Sequence, residues 1–194
     1  MSSRDKILAS VLQNQRALTP LPADPVFPVA DDDLREKFMG LAVQIGSRVF
    51  EPANMEEISQ IINRDFSTGS RVISTLPETE HFVPLGELQS GSPHAFEDVD
   101  FLLLNAHFGV AENSALWITE ELLPQRALPF ITQHLGVVLN KKDLVATMHQ
   151  GYERIADSEY DYGTFIAGPS KTADIEQSLV LGAHGPRSLT IFLI

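Results

Sequence analysis

The sequence contains no cysteine and few basic residues, and each of these shortages excludes particular kinds of site or partner. Its 194 residues include 14 Lys and Arg against 26 Asp and Glu, which gives a formal charge of -12. Without cysteine the chain itself can supply no thiolate nucleophile, no disulfide and no Cys-ligated zinc or iron–sulfur cluster. The acidic balance argues against nucleic acid or an anionic membrane as the main partner, because both need clustered Lys and Arg.

Long hydrophobic runs are also missing. The apolar runs at 101–104 and 136–139 are far shorter than the roughly 20 residues that a membrane-spanning helix needs. The first six residues lead directly into an amphipathic pattern, without the apolar centre of a signal peptide. We therefore expect a cytoplasmic protein.

The N-terminal 30 residues predict an arm. Ile7, Leu8, Val11 and Leu12 recur at helical spacing after the capping pair Ser2 and Asp5, and four prolines follow between 19 and 28. Proline disfavours helix in the residue before it, so the second half of the arm should be extended. The helix has one apolar stripe, which can pack on its own core or join two copies into a homo-oligomer.

The remaining residues, 31–194, predict one α/β domain. Helical patterns are expected at 31–43, 54–62, 143–155 and 173–181, and strands at 47–50, 71–75, 99–104, 115–119, 136–139, 164–167 and 189–193. The segment 99–104 is almost wholly apolar, as a parallel strand covered on both faces requires. The predicted fold is an open, mostly parallel sheet flanked by helices.

The segment from Gly168 to Thr172 is the first candidate site. A strand ends in a Gly168–Pro169 turn, and a helix is expected within a few residues, capped by Ser170 or Thr172. Backbone N–H groups at a helix N-terminus favour an anion, and Lys171 adds a positive charge. The turn should then lie at the carboxyl ends of the strands, where α/β proteins bind ligands. Plain helix capping is the alternative interpretation.

Three further groups of polar residues could take part in chemistry. Asp174 and Glu176 fall in the first turn of that expected helix, where they either offset its dipole or act on a ligand. In the turn 181–187, His184 could carry a proton or hydrogen-bond the loop backbone. Gly185 could contact substrate, and Arg187 could bind substrate or pair with a carboxylate of the chain. After the apolar strand, Glu112, Asn113 and Ser114 could face a crevice, with Glu112 as an acid or base, or could simply stabilise a loop. The six histidines lack zinc-site spacing, so no metal is expected.

The C-terminal run 166–194 (IAGPSKTADIEQSLVLGAHGPRSLTIFLI) resembles the signature of the lactate-utilisation protein C family, the LUD domain. Weaker agreement extends over most of residues 38–139, including the loop around Glu112. The family usually has Glu-Thr-Gly-Thr in that loop, where this sequence has Glu112, Asn113, Ser114 and Ala115.

The resemblance implies a fold related to the NagB/RpiA/CoA-transferase group. It also implies the cluster-free component of a three-part system that oxidises L-lactate to pyruvate with iron–sulfur partner proteins. The polar stretches themselves, and not the resemblance, make Glu112, Glu176 and His184 the candidate catalytic residues. The resemblance identifies neither a cofactor nor a ligand. The alternative is a stand-alone enzyme or binding protein for a phosphorylated or carboxylated metabolite, and whether the chain is itself catalytic stays open.

Overall fold

The computed structural model describes residues 2–17, 19–20, 22, 33–66, 69–79, 92–156, 158–173 and 179–194. The helices in these ranges are α1 Ser3–Gln13, α2 Leu34–Gln44, α3 Met55–Asp65, α4 Leu128–Ile131 and α5 Met148–Ile155. The strands are β1 Arg48–Phe50, β2 Val72–Ser74, β3 Phe101–Asn105, β4 Phe108–Val110, β5 Ala115–Thr119, β6 His134–Leu139, β7 Leu144–Val145, β8 Gly163–Ile166, β9 Lys171–Ala173, β10 Leu179–Leu181 and β11 Ser188–Leu193.

A five-stranded parallel sheet forms the centre of the molecule. Its order is β1-β11-β6-β3-β2, and every neighbouring pair is parallel. Side chains of β3 alternate between two layers: Leu102 and Leu104 pack with Phe38 of α2, whereas Phe101 and Leu103 pack with Ile58 of α3. This two-sided burial confirms the prediction drawn from the apolar segment 99–104 and explains its composition.

Helices α2 and α3, which cover the two faces of the central sheet, each begin directly after a capping residue. The Asp33 carboxylate accepts hydrogen bonds from the Arg35 and Glu36 amides, and the Asn54 side chain accepts one from the Glu57 amide. These bonds satisfy amides that a helix start leaves unpaired. In this way the polar residues fix where α2 and α3 start, and their apolar faces fix the direction in which they pack.

A second, four-stranded sheet packs beside α2. Its order is β7-β4-β5-β8, with β4–β5 and β5–β8 antiparallel. A Cβ on Gly109 of β4 would stand 3.0 Å from a ring carbon of Phe38, so only glycine allows this close approach. The strands expected at 115–119 and 164–167 therefore exist, but they belong to this second sheet.

Two predicted helices are wrong over part of their length. The helix expected at 143–155 begins only at Met148, because Leu144 and Val145 pair with β4 instead. The helix expected at 173–181 is replaced at both ends by strands: Leu179 pairs with Ala173 and Leu181 with Lys171. Residues 174–178 lie outside the described residues.

Helix α1 forms as expected, but its apolar stripe is exposed. The Ser2–Asp5 capping box is complete. Ile7 is 63% exposed and Leu12 is 68% exposed. The stripe therefore finds no cover on the described part of its own chain. No helix in the described ranges combines the length and the apolar character needed to cross a bilayer.

Candidate functional site

The Ser170 turn lies at the amino ends of the central strands. The Ser170 amide donates a hydrogen bond of 2.8 Å to the carbonyl of Pro186, and the Arg187 amide donates one of 2.8 Å to the carbonyl of Gln133. Gln133 directly precedes β6, and Pro186 lies two residues before β11. The expectation that this turn lies at the carboxyl ends of the sheet is therefore wrong.

No helix begins at this turn, since Lys171–Ala173 is strand β9. The predicted anion site thus loses the helix N-terminus on which it depended. The Lys171 ammonium instead donates a hydrogen bond to the carbonyl oxygen of Ile45, just after α2. Gly168, at φ +72°, packs against the Ile45 side chain. Asp174 and Glu176 lie outside the described residues, and Thr172 lies in β9, where it pairs with Val180 of β10.

The turn that carries His184, Gly185 and Arg187 is in contact with Ser170. A Cβ on Gly185 would lie 3.2 Å from the Ser170 Cβ. His184 and Arg187 are exposed. The two stretches that sequence analysis singled out near the C-terminus are therefore adjacent in space.

Two arginines and one histidine lie along the amino ends of the central strands, next to this contact. Arg48 lies at the start of β1, where it bonds Thr190 at 2.9 Å and forms an ion pair with Asp65 at 2.5 Å. His134, at the start of β6, contacts the Ser188 hydroxyl at 2.7 Å. Burial, followed by the charges of Arg187 and Arg48, lowers the pKa of the His134 imidazole. We call Arg48, His134 and Arg187 the amino-edge patch.

The third predicted stretch forms the turn between β4 and β5. Glu112 accepts a 2.8 Å hydrogen bond from the Met148 amide at the start of α5, and Asn113 accepts one of 3.0 Å from the Ala115 amide. Ser114 is fully buried at φ +53°, and its hydroxyl has no hydrogen-bond partner. The β5–β8 register places this turn and Gly168 at the same end of the second sheet.

A cleft at the other end of the second sheet was missed by sequence analysis. It encloses about 300 Å³, and its lining includes His107, Phe108, Trp117, Thr119, Glu121 and Arg154. His107 follows β3 by two residues, so its position after a buried strand was a usable signal. The other lining residues are brought in by the β4–β5 pairing and by α5, which a sequence pattern does not reveal.

Polar contacts fix the histidine and one carboxylate of this cleft. The His107 Nε2 lies 2.7 Å from the Thr119 hydroxyl. Burial lowers the pKa of the imidazole, the nearby Glu121 carboxylate opposes that shift, and Arg154 adds to it. Glu120 accepts hydrogen bonds from the Asp161 and Tyr162 amides at 2.6 and 3.0 Å, and these amides hold the pKa of its carboxyl below the usual range.

A second cavity of about 420 Å³ adjoins the first at the carboxyl ends of β2 and β3. Thr75 and Asn105 line it where the two strands end, and Glu120 and Glu121 line both cavities. This edge is where open α/β sheets bind ligands. In the described ranges, no group of three or more His, Asp and Glu residues is arranged to hold a metal ion.

Comparisons with known proteins agree with the architecture. The chain is similar to the lactate utilization protein C of Exiguobacterium sp., at 24% identity over 93% of this chain and 86% of that protein. An uncharacterised protein of Neisseria meningitidis serogroup B is 28% identical over 111 residues, which span 48% of its length. A crystal structure of a DUF162 family protein from Deinococcus radiodurans superposes with a TM-score of 0.64 at 19% identity, over 86% of this chain and 99% of that one.

The structural neighbour supports the predicted α/β architecture, whereas the relation to the NagB/RpiA/CoA-transferase group stays a prediction. The family assignment rests on the sequence. A model of the LUD domain matches residues 85–194, which is more than half of the chain. The chain therefore belongs to the LUD domain family.

Proposed function

We propose that this protein is the cluster-free component of an iron–sulfur system that oxidises L-lactate to pyruvate in the cytoplasm. The observation that carries the proposal is the similarity to a lactate utilization protein C along 93% of the chain. The absence of cysteine supports the assignment of iron–sulfur chemistry to partner proteins, because this chain cannot supply thiolate ligands to a cluster.

Within that role, the amino-edge patch is the proposed binding surface for a small anion. Arg187 is exposed and lies beside the Ser170 turn, in a chain whose formal charge is -12. Local positive charge on an acidic protein gives an anion one favoured place to bind. Gly168, Pro169, Ser170 and Gly185 would shape the backbone there, and Asn113, Ser114 and Asp174 complete the proposed ligand set. Lys171 would act indirectly, by holding the turn on α2.

Proton transfer in this site is assigned to Glu112, Glu176 and His184. Of these, His184 is exposed on the turn next to Ser170. Glu112 caps α5 through the Met148 amide, so a catalytic role would require it to leave that bond or to act through its second oxygen. This makes His184 the better placed of the two described candidates.

A growth experiment tests the proposed function. Deleting the gene should abolish growth on L-lactate and leave growth on pyruvate intact, and the Exiguobacterium protein should restore it. Restoration by Arg126→Gln but not by Arg187→Gln would support the amino-edge patch, because Arg126 is also an exposed arginine but lies outside the patch. Normal growth of the deletion strain on L-lactate would contradict the proposal.

The arm is proposed to join two copies of the chain. The support for this is the exposed stripe of α1, in which Val11 is 54% exposed. In light scattering the full chain should then have the molar mass of a dimer, whereas a chain lacking residues 1–28 should have the molar mass of a monomer. If both proteins have the molar mass of a single chain, with and without partner proteins, the arm does not join copies of the chain.

The alternative function, a stand-alone enzyme or binding protein for a phosphorylated or carboxylated metabolite, is favoured by one observation. Arg187 is exposed beside the Ser170 turn, so an anionic substrate could bind to this chain without a partner protein. Purified protein that turns over a substrate without iron–sulfur partners would favour this alternative.

A further inference from the structure

The cleft beside His107 has aromatic walls. Phe108 and Trp117 are buried beneath it at 1% and 6% exposure. Tyr160 packs edge-on against Trp117, with the ring centroids 5.4 Å apart, and is itself 42% exposed. Phe108 and Trp117 thus form a buried base, and Tyr160 is the aromatic ring of this wall that a ligand can reach. The negative faces of aromatic rings attract positive charge.

The rim of the same cleft is acidic. Glu120, Glu121 and Glu159 all line it. Arg154 is the one Lys or Arg among its described lining residues. Its guanidinium is already held by Asp143 at 2.6 Å and lies over the Phe108 ring at 5.1 Å. The balance of charge that a ligand would meet here is therefore negative.

His107 does not reverse this balance. Its ring is half-buried and lies against the Thr119 hydroxyl. Burial lowers the pKa of the imidazole, and this shift favours the uncharged form of the ring.

We propose that this cleft binds an organic cation, a protonated amine or quaternary ammonium group carried on a small apolar body. The aromatic wall would accept the apolar body and part of the charge, and the rim carboxylates would pair with the cationic head. The adjoining cavity extends the same preference, since Glu120 and Glu121 face both spaces. A carboxylate or phosphate would meet three like charges, so the site is distinct in chemistry from the amino-edge patch.

The chain supplies its own reporter for this site, because Trp117 is its only tryptophan. Trp117 fluorescence should change saturably as phenethylammonium is added to the full-length protein. The neutral analogue 2-phenylethanol should bind more weakly, and the anionic analogue 3-phenylpropionate more weakly still. Raising the salt to about 1 M should weaken only the cation, since salt screens exposed charges.

A pair of variants locates the binding. Glu121→Gln should weaken phenethylammonium by about two- to five-fold, as for a partly exposed charge pair. Glu153→Gln removes the same charge from an exposed position on α5 outside the cleft and should leave affinity unchanged. Equal affinities for the three analogues, equal effects of the two variants, or no saturable binding of the cation would each overturn the proposal. The titration needs neither lactate nor partner proteins, so its failure is separate from failure of the growth test.

Discussion

The ammonium of Lys171 donates a hydrogen bond to the carbonyl oxygen of Ile45, 126 residues earlier in the chain. Ile45 follows the last turn of α2, where backbone carbonyls have no partner within the helix and carry partial negative charge. A Cβ on the neighbouring Gly46 would stand 3.5 Å from the same ammonium. One lysine thus joins the end of α2 to strand β9 and sets the position of the Ser170 turn.

Replacing this lysine should destabilise the protein slightly. Lys171→Met keeps the aliphatic stem and removes the charge at the helix end, so the melting temperature should fall by about 1–3 °C. Lys142→Met, at an exposed lysine in another turn, serves as the control and should cause a smaller change. Thermal unfolding followed by circular dichroism makes the measurement. A larger effect at Lys142 would show that the bond to Ile45 contributes nothing measurable.

Ser114 lies in the left-handed region of backbone conformation, which favours glycine. At φ +53° a side chain is strained, and the buried hydroxyl has no partner. Relief of these two costs, less the entropy that glycine loses on folding, should make Ser114→Gly more stable by about 1–2 kcal/mol. Ser114→Ala removes only the hydroxyl and should gain about half as much. Urea denaturation that ranks alanine above glycine would contradict the assigned strain.

Local patterns were sufficient for the parts of the fold in which burial and capping agree. The segment 99–104 had to be a strand covered on both faces, and Asn54 with Glu57 marked the start of α3. The secondary structure near the C-terminus was harder to predict. Leu179, Val180 and Leu181 are compatible with a strand or a helix, and the contact that decides between them is their pairing with β9.

The candidate site likewise has one part that the sequence predicted and one part that it did not. Ser170, Gly185 and Arg187 are brought together as the sequence suggested, but at the amino ends of the strands, because the Ser170 amide is bonded to Pro186 just before β11. The cleft beside His107 depends on the pairing of Thr119 with Gly163 and on the position of α5. Such register contacts join residues far apart in the sequence, so hydrophobic period and capping residues contain no information about them.

Stability should rise with pH near neutrality because of His134. Burial, Arg187 and Arg48 lower the pKa of its imidazole, while Asp100 opposes them. Between that lowered pKa and the ordinary value of about 6.5, the unfolded chain binds more protons than the folded one. The free energy of unfolding should therefore fall as the pH drops from 7 through 6.5 towards 5.

The variant His134→Gln should flatten this dependence, because it removes the titrating group while retaining a partner for Ser188. His184→Gln, at an exposed histidine, is the matched control substitution. Urea denaturation at several pH values between 5 and 7 measures both. An unchanged slope in His134→Gln would assign the pH dependence to other groups, of which the half-buried His107 is the first to test.

A substitution at Gly163 tests whether Trp117, in the aromatic wall of the cleft, rests on β8. A Cβ added there would stand 2.3 Å from a ring carbon of Trp117, so Gly163→Ala must displace the indole or bend β8. Overpacking of this kind should cost about 1–3 kcal/mol and shift the native-state emission of Trp117. Gly40→Ala is the control: it lies in α2 with no atom within 4 Å of its added Cβ, and should gain up to about 1 kcal/mol from better helix propensity. Equal effects of the two substitutions on unfolding, or an unshifted emission in Gly163→Ala, would show that Trp117 does not rest on Gly163 and that the wall of the cleft is not fixed there.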